Sequence, residues 1–276
     1  MEADAHVAPS LSRVAPDSGR EDARTDRPGP PVLEPRPGGP AEWFAARIGP
    51  ERPVRVFVVA LVAAWLFLVA AMVLLGLVLI HVVLPLGGLA EAEADLSRWL
   101  ADNRTPTQED LSWLGSTVTG GHVIPAVIAL CLAVFLATKR WLLAAFVLFA
   151  VALESATYRA TSWILDRDRP DVERLESLPV HDSYPSGHVA ASIALYGGLL
   201  LLLASRIQST SFRIAALLVG IAIPLFVGWS RMYRGMHYVT DSGAGVLMGL
   251  GALAIIVFVA RATRAAARRR NEEHAA

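Results

Sequence analysis

Three short polar clusters of the sequence combine residue types that suit the transfer of a phosphoryl group. They read Arg167-Asp168-Arg169-Pro170, Tyr184-Pro185-Ser186-Gly187-His188, and Ser230-Arg231 followed by His237 and Asp241. A phosphoryl group in transfer spreads negative charge over its oxygen atoms, so its site needs fixed cations and hydrogen-bond donors. Imidazole and carboxylate groups add a nucleophile and a proton donor. Together the clusters predict a phosphoryl-transfer site.

His237 is the predicted nucleophile of this site. Asp241 follows four residues later on the same face of a helical turn, so we expect its carboxylate to accept a hydrogen bond from one ring nitrogen. That contact fixes the tautomer and leaves the other nitrogen free to attack phosphorus. His188 is the second imidazole, which we expect to protonate the leaving oxygen. Gly235 offers a break in the chain that lets Arg231 and His237 both turn inward.

Four further residues of the clusters predict a phosphate pocket. Arg169 and Arg231 carry planar guanidinium forks that bind phosphate in a bidentate manner. Ser186 and Gly187 stand where an apolar helix begins, and the first N–H groups of a helix lack partners and attract anions. Gly187 also lets the backbone approach an anion closely because it has no Cβ atom.

Long apolar stretches must position these clusters. Hydrophobic residues make up 54% of the 276 residues and charged residues only 18%, which is below the roughly 25% of a soluble domain. Each stretch is close to or above the ~17–25 residues that cross a bilayer as a helix. The predicted fold is therefore all-α, a membrane protein with six transmembrane helices. The stretches are about Val54–Val83, Val118–Thr138, Trp141–Leu165, His188–Ala204, Phe212–Trp229 and Val239–Ala260.

Basic residues beside the helix ends predict the orientation of the protein. If six helices alternate across the plasma membrane, four basic groups fall on one side, and such groups mark the cytoplasm. Both termini are then cytoplasmic, and all three polar clusters lie on the extracytoplasmic face. The groups are Arg47, Arg52 and Arg55; Lys139 and Arg140; Arg206 and Arg213; and Arg261, Arg264 and Arg268 to Arg270.

Changes in composition divide the chain into segments. Residues 1–50 are rich in Pro, Gly, Ala, Asp and Arg, which predicts a disordered cytoplasmic tail. Residues 54–262 form the membrane domain, and residues 263–276 form a basic cytoplasmic tail. Within the domain, residues 88–104 place apolar side chains at helical spacing between acids. This pattern fits either an interfacial helix on the outer leaflet or a packed loop helix.

Net charge and cysteine content limit the partners of the protein. The formal net charge is zero, which removes any argument for a nucleic-acid partner. Cys131 is the single cysteine of the sequence, so no intramolecular disulfide can form. The expected partners are membrane lipids and a lipid phosphate or diphosphate substrate. The oligomeric state stays open.

Two of the polar clusters resemble the signature motifs of a known family. Pro185-Ser186-Gly187-His188 and Ser230-Arg231-x5-His237-x3-Asp241 match, without a mismatch, the second and third signature motifs of the type-2 phosphatidic acid phosphatase (PAP2) superfamily. The resemblance covers about residues 54–262, including the six-helix core of the lipid-acting branch. It implies a phosphohistidine intermediate on His237, acid catalysis by His188 and support from Asp241. It also implies phosphate contacts from Arg169, Ser186, Gly187 and Arg231, with neither a metal nor another cofactor.

The first signature motif departs from the family pattern. The family has a lysine, six residues and then Arg-Pro, whereas this chain has Ser162 at the lysine position before Arg169-Pro170. The pocket therefore lacks one expected cation. Arg159 lies one turn earlier and is a candidate replacement, since an arginine within a spanning helix is costly. Snorkelling or pairing with an acid such as Glu154 is the alternative for Arg159. Arg167 is a second candidate replacement.

The leading functional hypothesis is an enzyme that hydrolyses a lipid phosphate or diphosphate at the outer membrane surface. A polyprenyl diphosphate is the first expected substrate, and phosphatidic acid or phosphatidylglycerol phosphate is the second. One alternative is a phosphotransferase that passes the phosphate to another lipid or sugar. Another is a catalytically weak membrane protein that binds lipid phosphates, which the missing lysine favours and the complete His188, His237 and Asp241 set opposes. The composition excludes a soluble vanadate-dependent peroxidase.

Overall fold

The computed structural model describes residues 29–177 and 181–275. Over these residues the regular structure is entirely helical, with no strand, which confirms the predicted all-α class. A single 3₁₀ turn at Pro31–Leu33 precedes the helices. The helices are α1 Pro40–Ile48, α2 Pro53–Val83, α3 Leu89–Asp102, α4 Pro106–Thr117, α5 Val123–Ala137, α6 Trp141–Ile164, α7 Gly187–Ala204, α8 Thr210–Tyr233 and α9 Val239–Ala275.

Five of these helices, α2, α6, α7, α8 and α9, are long and apolar enough to cross a membrane. Large apolar side chains such as Phe67 and Leu225 are exposed on them, as expected of a surface that faces lipid. The protein is therefore an integral membrane protein. The expected sixth span is shorter than predicted, because Gly120 and Gly121 interrupt the apolar stretch and α5 begins only at Val123. Its 15 residues measure about 22 Å, against ~30 Å of hydrocarbon.

The N-terminal region differs from the expected tail through residue 50. Residues 1–28 lie outside the described residues, but Leu33 is fully buried and α1 packs against α9. Ala41 and Ala45 of α1 contact a surface of α9 that includes Ala262 and Ala266. Small side chains on both helices let the two backbones approach closely, and this burial offsets the entropy of ordering the segment.

The C-terminal region also differs from the prediction. Residues 263–275 continue α9 without a break instead of forming a separate tail. Glu34 forms ion pairs with Arg264 and Arg268, and Arg261 Nε donates to the Val32 carbonyl over 2.8 Å. The basic end of α9 is therefore tied to the segment that precedes α1.

Helix α9 holds the centre of the fold, where it packs against α2, α6 and α7. Gly245 and Gly249 face α7 at one-turn spacing, and a Cβ atom on them would lie 2.5 Å from the Ser186 carbonyl oxygen and 2.8 Å from that of Ala190. No side chain larger than hydrogen fits there, so the two backbones touch. This contact brings the N-terminus of α7 against the first turns of α9. An apolar cluster below it, which includes Met72, Leu153 and Met248, fills the space between α2, α6 and α9.

Helix α3 corresponds to the segment predicted at residues 88–104. Its buried face carries Glu93 and Ser97 and packs towards α8, while Leu89, Leu96 and Trp99 are exposed. The helix is thus packed against the bundle through polar residues. Large apolar side chains are also exposed on it, so the structure combines features of both alternatives that the sequence left open.

Candidate active site

The residues of the three clusters meet at one end of the helical bundle. Ser186 and His188 begin α7, Arg231 lies in the last turn of α8, and Asp241 lies in the first turn of α9. His237 occupies the short link between α8 and α9. The link turns at Gly235, whose φ of +70° favours glycine, and a Cβ atom there would meet the Glu173 carbonyl oxygen at 3.0 Å. The expected break at Gly235 is therefore present.

His237 is buried, and its orientation fixes its tautomer. Ring atom Nδ1 lies 2.7 Å from the carbonyl oxygen of Ser183. A carbonyl can only accept, so Nδ1 carries the proton and Nε2 carries the lone pair. Burial, and then the nearby cations Arg231 and Arg169, hold the pKa of His237 well below its usual value. The side chain is thus a neutral imidazole with a nucleophilic Nε2 atom.

Asp241 does not take the position predicted for it. Its carboxylate accepts hydrogen bonds from the Ser183 hydroxyl over 2.6 Å and from the Tyr238 N–H over 2.9 Å, and it pairs with Arg167. The contact of His237 Nδ1 is the Ser183 carbonyl instead. The chain turns between His237 and α9, so the spacing of four residues does not place both side chains on one helical face. Asp241 is therefore connected to His237 through Ser183.

Unpaired donors mark a site for an anion. Ser186 Oγ and the Nε and Nη2 atoms of Arg231 are buried and, within the described part of the chain, have no hydrogen-bond partner. Arg231 is fully buried, and its Nη1 atom donates to Ser116 Oγ over 2.6 Å. Leaving such donors unpaired is costly unless a ligand accepts from them. They lie beside His237, whose protonation Arg231 opposes.

Arg169 adds a second cation to this site. Its Nη1 atom donates to the Met236 carbonyl over 2.6 Å, and its Nη2 atom donates to the Asp182 carbonyl over 3.2 Å. Burial lowers the pKa of Arg169, yet an arginine keeps its charge in a protein. The two carbonyl contacts fix the guanidinium next to His237. A neutral nucleophile, two arginines and unpaired donors thus surround one point, an arrangement suited to an anionic phosphoryl group.

Comparison with known proteins supports the resemblance to a family. The family model of the PAP2 superfamily matches residues 143–265, which contain all three polar clusters. Over these residues the chain is similar to the PAP2 superfamily. It is 29% identical over 152 residues to phosphatidylglycerophosphatase B of Bacillus subtilis (strain 168), covering 50% of this chain and 71% of that relative. The predicted enzyme class, a membrane lipid phosphatase, is thereby confirmed.

A solved PAP2 structure has the same fold. The crystal structure of the transmembrane PAP2 type phosphatidylglycerolphosphate phosphatase from Bacillus subtilis aligns with a TM-score of 0.57. The alignment covers 74% of this chain and 94% of that chain, at 22% identity. At this level of identity the likeness concerns the fold alone.

The lysine missing from the first PAP2 motif is not replaced by Arg159. That side chain is exposed, so its predicted contact with the site is wrong. Ser162 Oγ donates to the Tyr158 carbonyl of its own helix over 2.7 Å and supplies no cation. The ring of Tyr158 instead lies against the site, since a Cβ atom on Gly187 would be 3.1 Å from it. Residue 159 points away because it follows Tyr158 on the helix by about 100°.

Arg167 also differs from its predicted role as a phosphate contact. Its guanidinium forms ion pairs with Glu93 of α3 and with Asp241, and it donates to Thr240 Oγ1 over 2.8 Å. The ring of Tyr238 covers it, with the guanidinium carbon 4.7 Å from the ring centroid. Two carboxylates neutralise this arginine, so it holds Asp241 in place instead of presenting a free cation to the PAP2 phosphate pocket.

Several residues of the site were missed by sequence reasoning. Ser183 acts partly through a backbone carbonyl, which leaves no signal in residue type. Glu93 meets Arg167 across 74 positions of the chain. Glu176 pairs with Arg231 and Arg234, over 2.7 Å and 2.6 Å. The sequence did contain acids that could pair with these arginines, and this was the available signal. The sequence alone, however, does not say which acid meets which arginine.

Glu176 and Arg234 form one wall of a cavity of 540 Å³. His188 lines the same cavity, as do Trp113 and Ser116 of α4. The charge of Arg231 and hydrogen bonds from both arginines outweigh the opposing effect of burial and lower the pKa of Glu176 to about 2. Glu176 is therefore ionised at any physiological pH.

A separate group of side chains lies outside this pocket. Asp166, Asp168 and His181 are exposed and bring their ligand atoms within 4.8 Å of one another. His181 Nδ1 lies 2.8 Å from the Asp168 carboxylate, so the three side chains are held by contacts with one another. We assign no metal to it.

Proposed function

We propose that this PAP2 protein hydrolyses a lipid phosphate through a phosphohistidine on His237. The observation that carries the proposal is the set of buried, unpaired donors of Ser186 and Arg231 beside a neutral His237. A phosphate group supplies the acceptors that these donors lack. Arg169 and the first N–H groups of α7, from Gly187 onward, complete the neutralisation of its charge.

The reaction proceeds in two steps. In the first, His237 Nε2 attacks phosphorus, the bond from phosphorus to the ester oxygen breaks, and His188 gives its proton to that oxygen. The Ser183 carbonyl accepts from Nδ1–H and stabilises the positive charge that develops on the ring. In the second step His188 takes a proton from water as the water oxygen attacks phosphorus. The bond from phosphorus to His237 Nε2 breaks, its electron pair returns to the ring, and inorganic phosphate is released. Asp241 supports both steps by holding Ser183.

Phosphatidylglycerol phosphate is the substrate class that the relatives favour. The matched relative and the matched crystal structure are both named for that activity, although the sequence analysis placed polyprenyl diphosphate first. The phosphate pocket itself contacts the head group of the substrate and not its tail. Transfer of the phosphate to another lipid or sugar would use the same first step, so a count of released phosphate per substrate consumed separates the two outcomes.

The proposal places the site on the extracytoplasmic face of a six-span protein in the plasma membrane, with both termini in the cytoplasm. The ion pair of Glu93 with Arg167 supports it. Residues 84–117 and 166–187 then share one face, so the chain between them must cross the membrane an even number of times. Because α6 is one crossing, α5 is the other. The charges of Lys139 and Arg140 at its end can snorkel to the interface and compensate for its short length.

The test uses purified full-length protein with phosphatidylglycerol phosphate, phosphatidic acid and a polyprenyl diphosphate. We expect His237→Ala to lower phosphate release about a thousandfold or more on every accepted substrate. Acid-labile, alkali-stable phosphate should attach to wild-type protein in rapid-quench experiments and be absent from His237→Ala. His81→Ala, an exposed histidine of α2, serves as the matched control. Full activity of His237→Ala would overturn the mechanism.

A further inference from the structure

Glu176 lies on the side of the site from which the leaving group must depart. This inference rests on the proposed function, in which His188 protonates the leaving oxygen. His188 and Glu176 line the same 540 Å³ cavity. The departing part of the substrate therefore passes the Glu176 carboxylate. The phosphoryl group under attack lies beyond it, at Ser186 and the unpaired side of Arg231.

The contacts of Glu176 engage one donor from each of two arginines. Its Oε2 atom accepts from Arg231 Nη1 over 2.7 Å, and its Oε1 atom accepts from Arg234 Nε over 2.6 Å. The other nitrogens of Arg234 donate to the Leu175 carbonyl and to Ser112 Oγ over 3.0 Å and 3.2 Å. The carboxylate is thus the acidic member of a charge cluster with these two arginines.

We propose that Glu176 is a specificity-determining residue that makes the enzyme favour phosphate monoesters over diphosphates. The leaving group of a monoester is an alcohol, which is neutral after it takes the proton of His188. The leaving group of a diphosphate is itself a phosphate, whose charge would lie next to the Glu176 carboxylate. Juxtaposed like charges are costly, and Glu176 occupies Arg231 Nη1 and Arg234 Nε, which could otherwise donate to the second phosphate. The cavity beside Glu176 therefore favours a neutral alcohol as the leaving group and disfavours an anion.

The experiment compares two substrates with the same tail, farnesyl phosphate and farnesyl diphosphate. Initial rates are measured on purified full-length protein in detergent, with farnesyl phosphate formed from the diphosphate resolved by chromatography. We expect wild type to have the higher kcat/KM on the monophosphate. In Glu176→Gln the repulsion is removed and donors of Arg231 and Arg234 are released. The ratio of kcat/KM for diphosphate to that for monophosphate should rise about tenfold.

Two variants serve as matched controls. Glu173→Gln removes an acid from the same loop, where the side chain is 87% exposed, and should leave the ratio unchanged. Glu176→Asp keeps the charge and should keep the wild-type preference. If Glu176→Gln does not fold, Arg234→Gln replaces it, because loss of one compensating cation should lower the ratio several-fold.

Each outcome decides the inference. An unchanged ratio in Glu176→Gln, or equal losses on both substrates, would mean that Glu176 only supports the structure, and the inference would fail. An unchanged ratio in Arg234→Gln would overturn it as well. Failure of the proposed function is a different result, namely full activity of His237→Ala on both substrates. A substrate ratio that stays fixed while His237 remains essential rejects the role of Glu176 alone.

Discussion

At the scale of single residues, His237 is held by a chain of contacts that sequence spacing does not reveal. Asp241 accepts from the Ser183 hydroxyl, and the Ser183 carbonyl accepts from His237 Nδ1–H. The carboxylate thus fixes the segment whose backbone orients the ring. This arrangement separates two functions of Ser183, since its carbonyl faces the histidine and its side chain faces the aspartate.

Replacing Ser183 by alanine tests the side-chain half of that arrangement. The carbonyl contact to His237 can remain, but Asp241 loses a buried hydrogen bond of 2.6 Å. A hydrogen bond to a charged group is worth about 1.5–3 kcal/mol. We expect kcat to fall roughly 10- to 100-fold with little change in KM, because phosphate contacts are untouched. Steady-state kinetics on a phosphate monoester measure both constants.

Ser192→Ala is the control for this substitution. Ser192 is equally buried, but its hydroxyl donates to the Val189 carbonyl within α7, so its loss should leave kcat unchanged. If Ser183→Ala behaves like Ser192→Ala, the carboxylate does not act through the serine side chain, and Asp241 serves only to neutralise Arg167.

At the scale of elements, the glycines of α9 set the position of the α7 N-terminus. Gly245 touches the Ser186 carbonyl, so the residue that carries an unpaired hydroxyl is placed by a helix-to-helix contact. Ser186 N–H also donates to the Asp241 carbonyl over 3.0 Å, which joins the same two helices at their ends. The geometry of the pocket is therefore a consequence of how closely two backbones approach.

Gly245→Ala is predicted to disturb the site without changing any polar residue. The added methyl group would lie 2.5 Å from the Ser186 carbonyl oxygen, a backbone atom that cannot turn aside. Overpacking of this kind costs about 1–3 kcal/mol, and a displacement of ~1 Å at the chemistry can cost about 100-fold in rate. We expect a lower melting temperature in detergent together with a kcat reduced at least tenfold.

Gly243→Ala, in the same helix, is the matched control. A Cβ atom at Gly243 meets nothing within 4 Å, so this variant should keep full activity. It should be slightly more stable, since alanine favours a helix by about 1 kcal/mol over glycine. Equal activity of the two alanine variants would show that α7 and α9 tolerate separation at this point.

At the scale of the whole molecule, the sequence predicted what depends on continuous apolar stretches and missed what depends on distant contacts. The stretch Trp141–Leu165 became α6, Trp141–Ile164, because every residue of a spanning helix must be compatible with lipid. The order of the motifs was predictable from the sequence for the same local reason, and the residues assigned to the phosphate pocket stay a prediction. In contrast, α1 is ordered by alanine contacts with α9, more than 200 positions away. Arg167 took its partners from α3 and α9, and no local pattern specifies such a pairing.

The number of crossings is the global property that remains to be tested, and it depends on α5. If α5 crosses, Thr138 and Asn271 lie in the cytoplasm and Asn103 lies outside. If it does not cross, α6 begins on the outer side and Thr138 is external. The four helices α6 to α9 then cross the membrane four times, so Asn271 is external as well. Glu93 and Arg167 would then lie on opposite faces, which is incompatible with their ion pair.

Cysteine labelling distinguishes these two topologies. Cys131→Ser removes the native thiol, and single cysteines then replace Asn103, Thr138 or Asn271, all of which are exposed. With a membrane-impermeant maleimide, Asn103→Cys should react in intact cells, whereas Thr138→Cys and Asn271→Cys should react only after permeabilisation. The positive groups at Lys139 and Arg140 and along the end of α9 favour this result, because they retain their flanking segments in the cytoplasm. Reaction of Thr138→Cys in intact cells would rule out six crossings. It would also rule out an extracytoplasmic site built from both α3 and the start of α7.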